Sequence, residues 1–544
     1  MGEVQNGFLK RLVGIDALLL VIAINITLFL KSAIYIAIIK LILDVTYKIL
    51  STLWSVYVYP RFFSPLRHIP VAPGGSFLFG HTRQIIKAPS SKLQCEWVHN
   101  VPNDGFIRYS MFGTERLLLC NTRVLSEVLV TKAYDFVKPP GVRRGIGRTL
   151  GIGILLAEGD EHKVQRKNLM PAFAFRHVKD LYPTFWAKAK EMTDCLAEAC
   201  KGSEHAPGAI EVGGWVSRAT LDIIGLSGMG QDFNSLQDEN NKLNQTYRTI
   251  FNQGEGGIVL QLAALVLPFW FITRLPLKIN RQISDAATYV KQVCRELIAK
   301  KRASMAEKSR TDVDIISVAL ESGGFSDEDL VNQMMTFLVA GHETTATAMI
   351  WSMYLLCRHP EIQAKLRTEL RAQLPSLDEP VTAADFDRCQ YLKACTNEIL
   401  RLWAPVGLTL RQADKDTSIN GQFIPKGTVI IISPWAINTS TALWGPDAKE
   451  FKPERWLDAD GKANNKGGAE SNFAFLTFLH GPRSCIGQRF AQAEFECLLA
   501  GWLMRFDTKF EEGNPLARGE FDIKGGVTAK PKGGVWVMLD EIDA

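Results

Sequence analysis

The stretch "FLHGPRSCIG", Phe478 to Gly487, sets one cysteine among an aromatic residue, two glycines and an arginine. Taken alone, Cys485 would be a small buried hydrophobe, the ordinary fate of a free cysteine. Its neighbours argue otherwise. A thiolate is a soft ligand for a transition metal, glycines let the backbone approach a bulky planar group, and an arginine can pair with a carboxylate. Which reading holds depends on what the rest of the chain supplies.

The chain has 544 residues, 47% of them hydrophobic, enough for a large core and unlike a disordered or disulfide-stapled chain. Its net charge of +5 is spread along the whole length, so no basic block marks a nucleic-acid partner. The ten cysteines, at 95, 120, 195, 200, 294, 357, 389, 395, 485 and 497, include no Cys-x-x-Cys pair, which argues against zinc ligation and a disulfide framework. Scattered single thiols suit a reducing compartment, so the main body is expected to face the cytosol.

The amino terminus is different. "LVGIDALLLVIAINITLFL", Leu12 to Leu30, is 19 residues long and as a helix measures about 28 Å, close to the hydrocarbon thickness of a bilayer. The apolar run is too long for a signal-peptide core and lacks a clear small-residue cleavage site, so an uncleaved anchor is expected. Ser32 to Tyr59 remains apolar but places Lys40, Asp44 and Lys48 on one helical face, the pattern of an amphipathic interfacial helix. A second crossing stays open. Prolines 60, 65, 70 and 73 and then Gly74 and Gly75 read as a stiff connector. The expected division is therefore an anchor over 1–59, a connector over 60–75 and a globular body over 76–544.

In the body, helical periodicity dominates until the last third, where "TSINGQFIPKGTVIIIS" and "GGVTAKPKGGVWVML" read as short strands around turns. The expected fold class is mainly α with small β-sheets. "IVLQLAALVLPFWFI", between Gly254 and Leu275, is either a buried core segment or a non-spanning membrane contact. "RGIGRTLGIGIL" offers Gly145, Gly147, Gly151 and Gly153 but lacks dinucleotide-loop spacing, and is expected to be a mobile loop beside a cavity.

Three further stretches bear on Cys485. "SDEDLVNQMMTFLVAGHETTATAMIWSMYLLCRHP" reads as a helix of about 50 Å, capped by Ser326 with Asp329 and ended at Arg358, His359 and Pro360. In its middle, Ala340 and Gly341 leave room for a small ligand, and Glu343 and Thr344 put an acid and an alcohol into an apolar helix. In "NEILRLWAP", Glu398 and Arg401 can touch on one helical face. "EGDEHKVQRKNLMPAF" carries His162 and Arg166 at a four-residue spacing.

Together these stretches resemble the cytochrome P-450 family. Phe478, Gly481, Arg483, Cys485 and Gly487 match its Phe-x-x-Gly-x-Arg-x-Cys-x-Gly signature, and Ala340, Gly341, Glu343 and Thr344 its Ala-Gly-x-Asp/Glu-Thr oxygen-activation segment. Glu398 and Arg401 match Glu-x-x-Arg, which Arg455 of "PERW" would complete in a structural role. The family commonly has Trp-x-x-x-Arg where this chain has His162 and Arg166, and a histidine can donate a hydrogen bond as an indole does.

The resemblance implies haem b with Cys485 as axial thiolate. It also implies haem-binding roles for Phe478, Gly481, Arg483, Gly487, Ala340 and Gly341, and propionate contacts for His162, Arg166 and Arg411. Glu343 and Thr344 would deliver protons, and Val406 to Leu410 would line a substrate cavity. The implied activity is a monooxygenase acting on a lipophilic small molecule, with electrons from NADPH through a separate flavoprotein reductase. The implied location is the endoplasmic reticulum membrane, single-pass, with membrane lipid as a further partner. The wording "EGDEHKVQRK" is most similar to fungal members, whose secondary metabolism suggests a terpenoid, polyketide or alkaloid substrate. A haem-thiolate isomerase or dehydratase, and a non-catalytic membrane haem protein, are the alternatives.

Overall fold

A capping box begins the longest helix of the body. Ser326 Oγ accepts from the Asp329 N–H at 3.2 Å, and the Asp329 carboxylate accepts from the Ser326 N–H at 3.0 Å, as the sequence led us to expect. The computed structural model describes residues 2–542 except 78, 90, 112, 202–207, 252–268, 307–313 and 525. Most of the apolar stretch from 254 to 275, with its two open readings, therefore lies outside the described residues.

The chain separates into two compact units, Met1–Arg67 and His68–Ala544. In the first, helix α1 (Gly2–Leu53) runs on into a wider-wound π segment, Trp54–Phe63. Among the described residues Ile24–Phe63 is long and apolar enough to cross a membrane. It overlaps the expected span of 12–30 only at 24–30, and the side chains before Val21 lie outside the described residues.

The second unit is built on helices α2 (Gly159–Leu169), α3 (Tyr182–Lys201), α4 (Val212–Met229), α5 (Asp327–Arg358), α6 (Gln390–Leu402) and α7 (Gln488–Arg505). The middle of α5 is buried nearly all round, with Leu338, Met349 and Trp351 fully inaccessible, because α4 and α7 pack along it. A helix apolar on most faces is stable only as the centre of such a body. Burying each large side chain there contributes about 1.5–3 kcal/mol, set against the entropy of ordering the chain.

The largest sheet runs β1 (Phe106–Met111), β2 (Thr114–Leu119), β5 (Val429–Ile432), β4 (Thr409–Ala413), β3 (Phe136–Val137) in spatial order. Only the β2–β5 pairing is parallel. The expected strands of the last third are present, with a hairpin between Thr417–Ile419 and Gln422–Ile424. Asn420 (φ 49°) and Gly421 (φ 79°) make its turn, the residue pair such a tight turn prefers. The pair β1 and β2 lies outside the region where strands were expected. In "FIRYSM" Ile107, Tyr109 and Met111 alternate with Arg108 and Ser110 and face one apolar cluster, a two-residue period too short to stand out against the helical patterns around it.

The glycine-rich stretch also differs from expectation. Gly145 and Gly147 lie on a helix, Pro140–Leu150, and Gly151 and Gly153 form a close approach to α5. A Cβ on Gly151 would meet Asn332 Oδ1 at 1.8 Å and one on Gly153 would meet Thr336 Oγ1 at 2.3 Å, so two of these glycines serve packing.

Candidate active site

Local backbone geometry builds the cysteine loop. Leu479 (φ 55°) and Gly481 (φ 77°) turn the chain through the left-handed region, the Cys485 N–H closes the loop onto Phe478 O at 2.9 Å, and α7 follows at once. A Cβ on Gly481 would stand 2.1 Å from the Leu129 carbonyl oxygen, so conformation and space both require glycine. At Gly487 the nearest atom to a Cβ is Phe173 Cε1 at 3.6 Å, an ordinary contact. Packing within the chain does not demand that glycine, which fits a face kept bare for a planar ligand.

Exposure recurs at two points inside this body. Cys485 is exposed among partly buried neighbours, and Ala340 is exposed halfway along α5, between the buried Val339 and His342. Each borders space that the chain's own side chains do not fill. Cys485 opens onto a recess walled by protein, so the surrounding chain still raises its thiol, while the Gly487 N–H and the Arg166 guanidinium act against that rise.

A cluster of cations lies beside the loop. Arg483 donates to Phe136 O at 2.9 Å and Ala157 O at 3.4 Å and pairs with Glu158. Arg411, buried on β4, donates to Leu410 O at 2.9 Å. The Lys138 N–H donates to Glu158 Oε1 at 2.8 Å, and the buried His162 ring places Nδ1 at 3.1 Å from the Tyr134 hydroxyl.

Burial and mutual repulsion show in the ionisation of these groups. Burial, then Arg411 and Arg483, push the Lys138 ammonium down to about 7. Burial and Arg483 push Arg411 down to about 10. Burial, then Arg483, Arg166 and Lys138, push His162 down to about 4. Glu158 is the carboxylate acting on all three. A cluster so short of negative charge is matched by a dianion, and the paired propionates of haem are one. The residues present therefore fit the group that the resemblance implies.

Arg166 is placed differently from the other expected propionate contacts. Its Nη1 donates to Ser484 O at 2.7 Å and its Nη2 to Ser484 Oγ at 3.3 Å, bracing the loop one residue before Cys485.

On α5, the Thr344 hydroxyl donates to Ala340 O at 2.7 Å. Glu343 Oε1 accepts from Thr528 Oγ1 at 3.0 Å and Lys530 Nζ at 2.9 Å. Burial would raise this carboxyl, but the Lys530 charge, then His342 and the hydrogen bonds, outweigh it and hold it below the usual range. Gly341 does not share a ligand gap with Ala340: a Cβ there would lie 2.9 Å from Ile224 Cδ1, so this glycine lets α4 close on α5.

Glu398 and Arg401, both fully buried, meet the nearly buried Arg455. Arg401 Nε and Nη2 grip the two Glu398 oxygens at 2.7 and 2.8 Å, and Arg455 Nε and Trp456 Nε1 donate to the same carboxylate at 2.9 and 2.8 Å. Arg401 Nη1 donates to Asn438 O at 2.7 Å and Ala448 O at 2.6 Å, so the charge is hydrogen-bonded on every side.

Lys138, Glu158, Thr528 and Lys530 escaped sequence reasoning. Glu158 opens the stretch that carries His162, and Thr528 and Lys530 lie in a stretch read only as short strands, 185 and 187 residues from the acid they bind.

Residues 70–537 match the family model described as Cytochrome P-450. The chain is 46% identical to cytochrome P-450 monooxygenase sphH of Aspergillus fumigatus, with 90% of this chain and 91% of the relative covered. It is 39% identical to cytochrome P-450 monooxygenase FUM15 of Gibberella moniliformis, with 90% of each covered. It is 37% identical to cytochrome P-450 monooxygenase ALT8 of Alternaria alternata, with 90% of this chain and 92% of the relative covered. All three names are those of oxygenases, which favours neither the isomerase or dehydratase reading nor a non-catalytic haem protein. From the cysteine loop outward, then, motif, charge and likeness agree, and the chain belongs to the cytochrome P-450 family as a haem monooxygenase.

Proposed function

We propose that this protein inserts one atom of dioxygen into a lipophilic small molecule of fungal secondary metabolism, a terpenoid, polyketide or alkaloid. The observation that carries the reading is the meeting, at one loop, of a thiol ligand with a cation cluster short of negative charge. Haem bound there supplies dioxygen activation and the oxidising power for a C–H bond.

The chain's own residues do the rest. Cys485, as thiolate, would ligate the haem iron. Lys138, Arg411, Arg483 and neutral His162 would hold the propionates, and Arg166 braces the loop. Glu343 and Thr344 would hold and pass protons along the middle of α5. Val406 to Leu410 line the substrate cavity, and Glu398, Arg401 and Arg455 serve the fold alone. Electrons come from NADPH through a separate flavoprotein reductase. The segment before residue 60 holds the protein in the endoplasmic reticulum membrane by a single span, with the body of residues 76–544 in the cytosol.

The first test is spectroscopic. The reduced, carbon monoxide-bound protein should show the thiolate-type Soret band, and Cys485→Ser should abolish it, because a neutral hydroxyl is a poor ligand for haem iron. A band that survives in Cys485→Ser would sink the ligand assignment. Thr344→Ala should keep the band yet divert NADPH electrons to hydrogen peroxide. Comparing the metabolites of producing cells with and without the protein identifies the substrate.

A further inference from the structure

Glu343 takes its partners from an element far along the chain. Strands β6 (Ile523–Lys524) and β7 (Lys530–Pro531) pair antiparallel as a hairpin. The hairpin is clamped at Ala529, whose N–H donates to Pro405 O at 3.0 Å and whose carbonyl accepts from Trp351 Nε1 of α5 at 2.8 Å. With Ala529 fixed on both sides, its neighbours Thr528 and Lys530 both reach Glu343, and both donate to the same oxygen, Oε1. The pair is shielded without being sealed: the side chains of Lys530 and Glu343 are 27% and 18% exposed.

We propose that Lys530 is a positioning residue for Glu343, holding its carboxylate ionised and aimed, so that the C-terminal hairpin sets the pH range over which α5 relays protons. This rests on the monooxygenase reading above and deepens it. An exposed lysine pair contributes little, because solvent screens it and a flexible side chain must be ordered. Here the backbone is clamped on both flanks, water is largely excluded, and a second donor fixes the same oxygen.

The charged and titratable groups acting on Glu343 are Lys530, from the hairpin, and His342, from its own helix. His342 is buried, with Nδ1 against Leu338 O and its ring edge-on to Tyr247 at 5.3 Å. Burial holds His342 down toward the neutral form, so Lys530 is the cation that matters. Burial and Lys530 therefore push Glu343 in opposite directions, and deleting the cation leaves burial opposed only by the Thr528 hydrogen bond and His342. The sign follows: without Lys530 the carboxyl protonates at higher pH.

The test uses full-length protein in its haem-loaded form, with infrared difference spectra taken across pH and Glu343→Gln as the blank that assigns the carboxyl band. In Lys530→Met the Glu343 carboxyl should protonate about one to three pH units higher than in the wild type. Lys530→Arg should restore the wild-type titration. Thr528→Val, which removes the other donor and keeps the cation, should move it less than Lys530→Met does. The ratio of peroxide to NADPH consumed, measured in microsomes with the host reductase, should shift along the pH axis with the same variants, and Lys530→Met should have no such effect in a Glu343→Gln background.

An unchanged carboxyl titration in Lys530→Met would overturn the proposal. So would a larger shift in Thr528→Val, or an equal pH shift with Glu343 already replaced. The carbon monoxide spectrum judges the monooxygenase reading separately, since the infrared titration of Glu343 needs neither substrate nor reductase.

Discussion

Two groups of cations in this molecule are built from the same side chains and do opposite work. Arg401 and Arg455 surround Glu398, and the Arg401 guanidinium is saturated by that carboxylate and by backbone carbonyls. Lys138, Arg411 and neutral His162 stand with Arg483 around Glu158, and the Arg483 charge adds to burial in depressing the other three. The first group is complete within the chain and makes no demand on a ligand. The second is a standing deficit of negative charge that a bound dianion relieves. Net charge and hydrogen-bond completeness, read together, separate a structural ionic network from a binding site.

The comparison breaks most sharply at Glu398. Glu398→Gln leaves the buried Arg401 guanidinium without a counter-charge, while Arg455 keeps Asp447, and costs about 3–5 kcal/mol of stability. Urea unfolding should show that loss in full, and a wild-type midpoint would mean the network is not what holds α6 in place. Arg411→Leu should act with the opposite sign on the chain itself. Removing one cation from a crowded set leaves the fold as stable or more so, while haem retention falls by roughly ten- to a hundredfold, the effect of losing a charged hydrogen bond of about 1.5–3 kcal/mol. Haem transfer to apomyoglobin measures it.

The smallest effect is the pH dependence of haem retention. Without the dianion, Lys138 titrates at about 7, and the propionates raise that value. Between the two values the loaded form binds more protons, so haem affinity is full below about 7 and falls as pH rises through the loaded-state value. Haem release should accelerate above neutral pH in the wild type. In Lys138→Met the curve should be flatter, and an equally steep curve would remove Lys138 from the site.

Legibility followed chain separation. The cysteine loop, the acid and alcohol of α5 and the Glu398–Arg401 pair could be read because each is encoded within about ten consecutive residues. The capping box of α5 was readable for the same reason. Lys138 sits in no distinctive pattern and Lys530 in one that reads only as strand and turn, and their roles exist only because β3 and the C-terminal hairpin arrive beside other elements. Gly341 misled because one small residue has two uses, and only the position of Ile224 shows which applies. The β1–β2 pair was passed over because the alternation of Ile107, Tyr109 and Met111 with Arg108 and Ser110 spans only five residues.

Gly481 rests against the backbone of Leu129, and Arg483 donates to the carbonyl of Phe136, 347 residues earlier. During synthesis the walls of the site therefore leave the ribosome long before its floor. At roughly 5–20 residues per second, the early strands wait tens of seconds for the loop that completes them. Cofactor capture becomes one of the last events in the life of the nascent chain, and chains arrested before Phe478 should take up no haem. The exposed interval between the first strand and the last loop is the period in which a chaperone has most to protect.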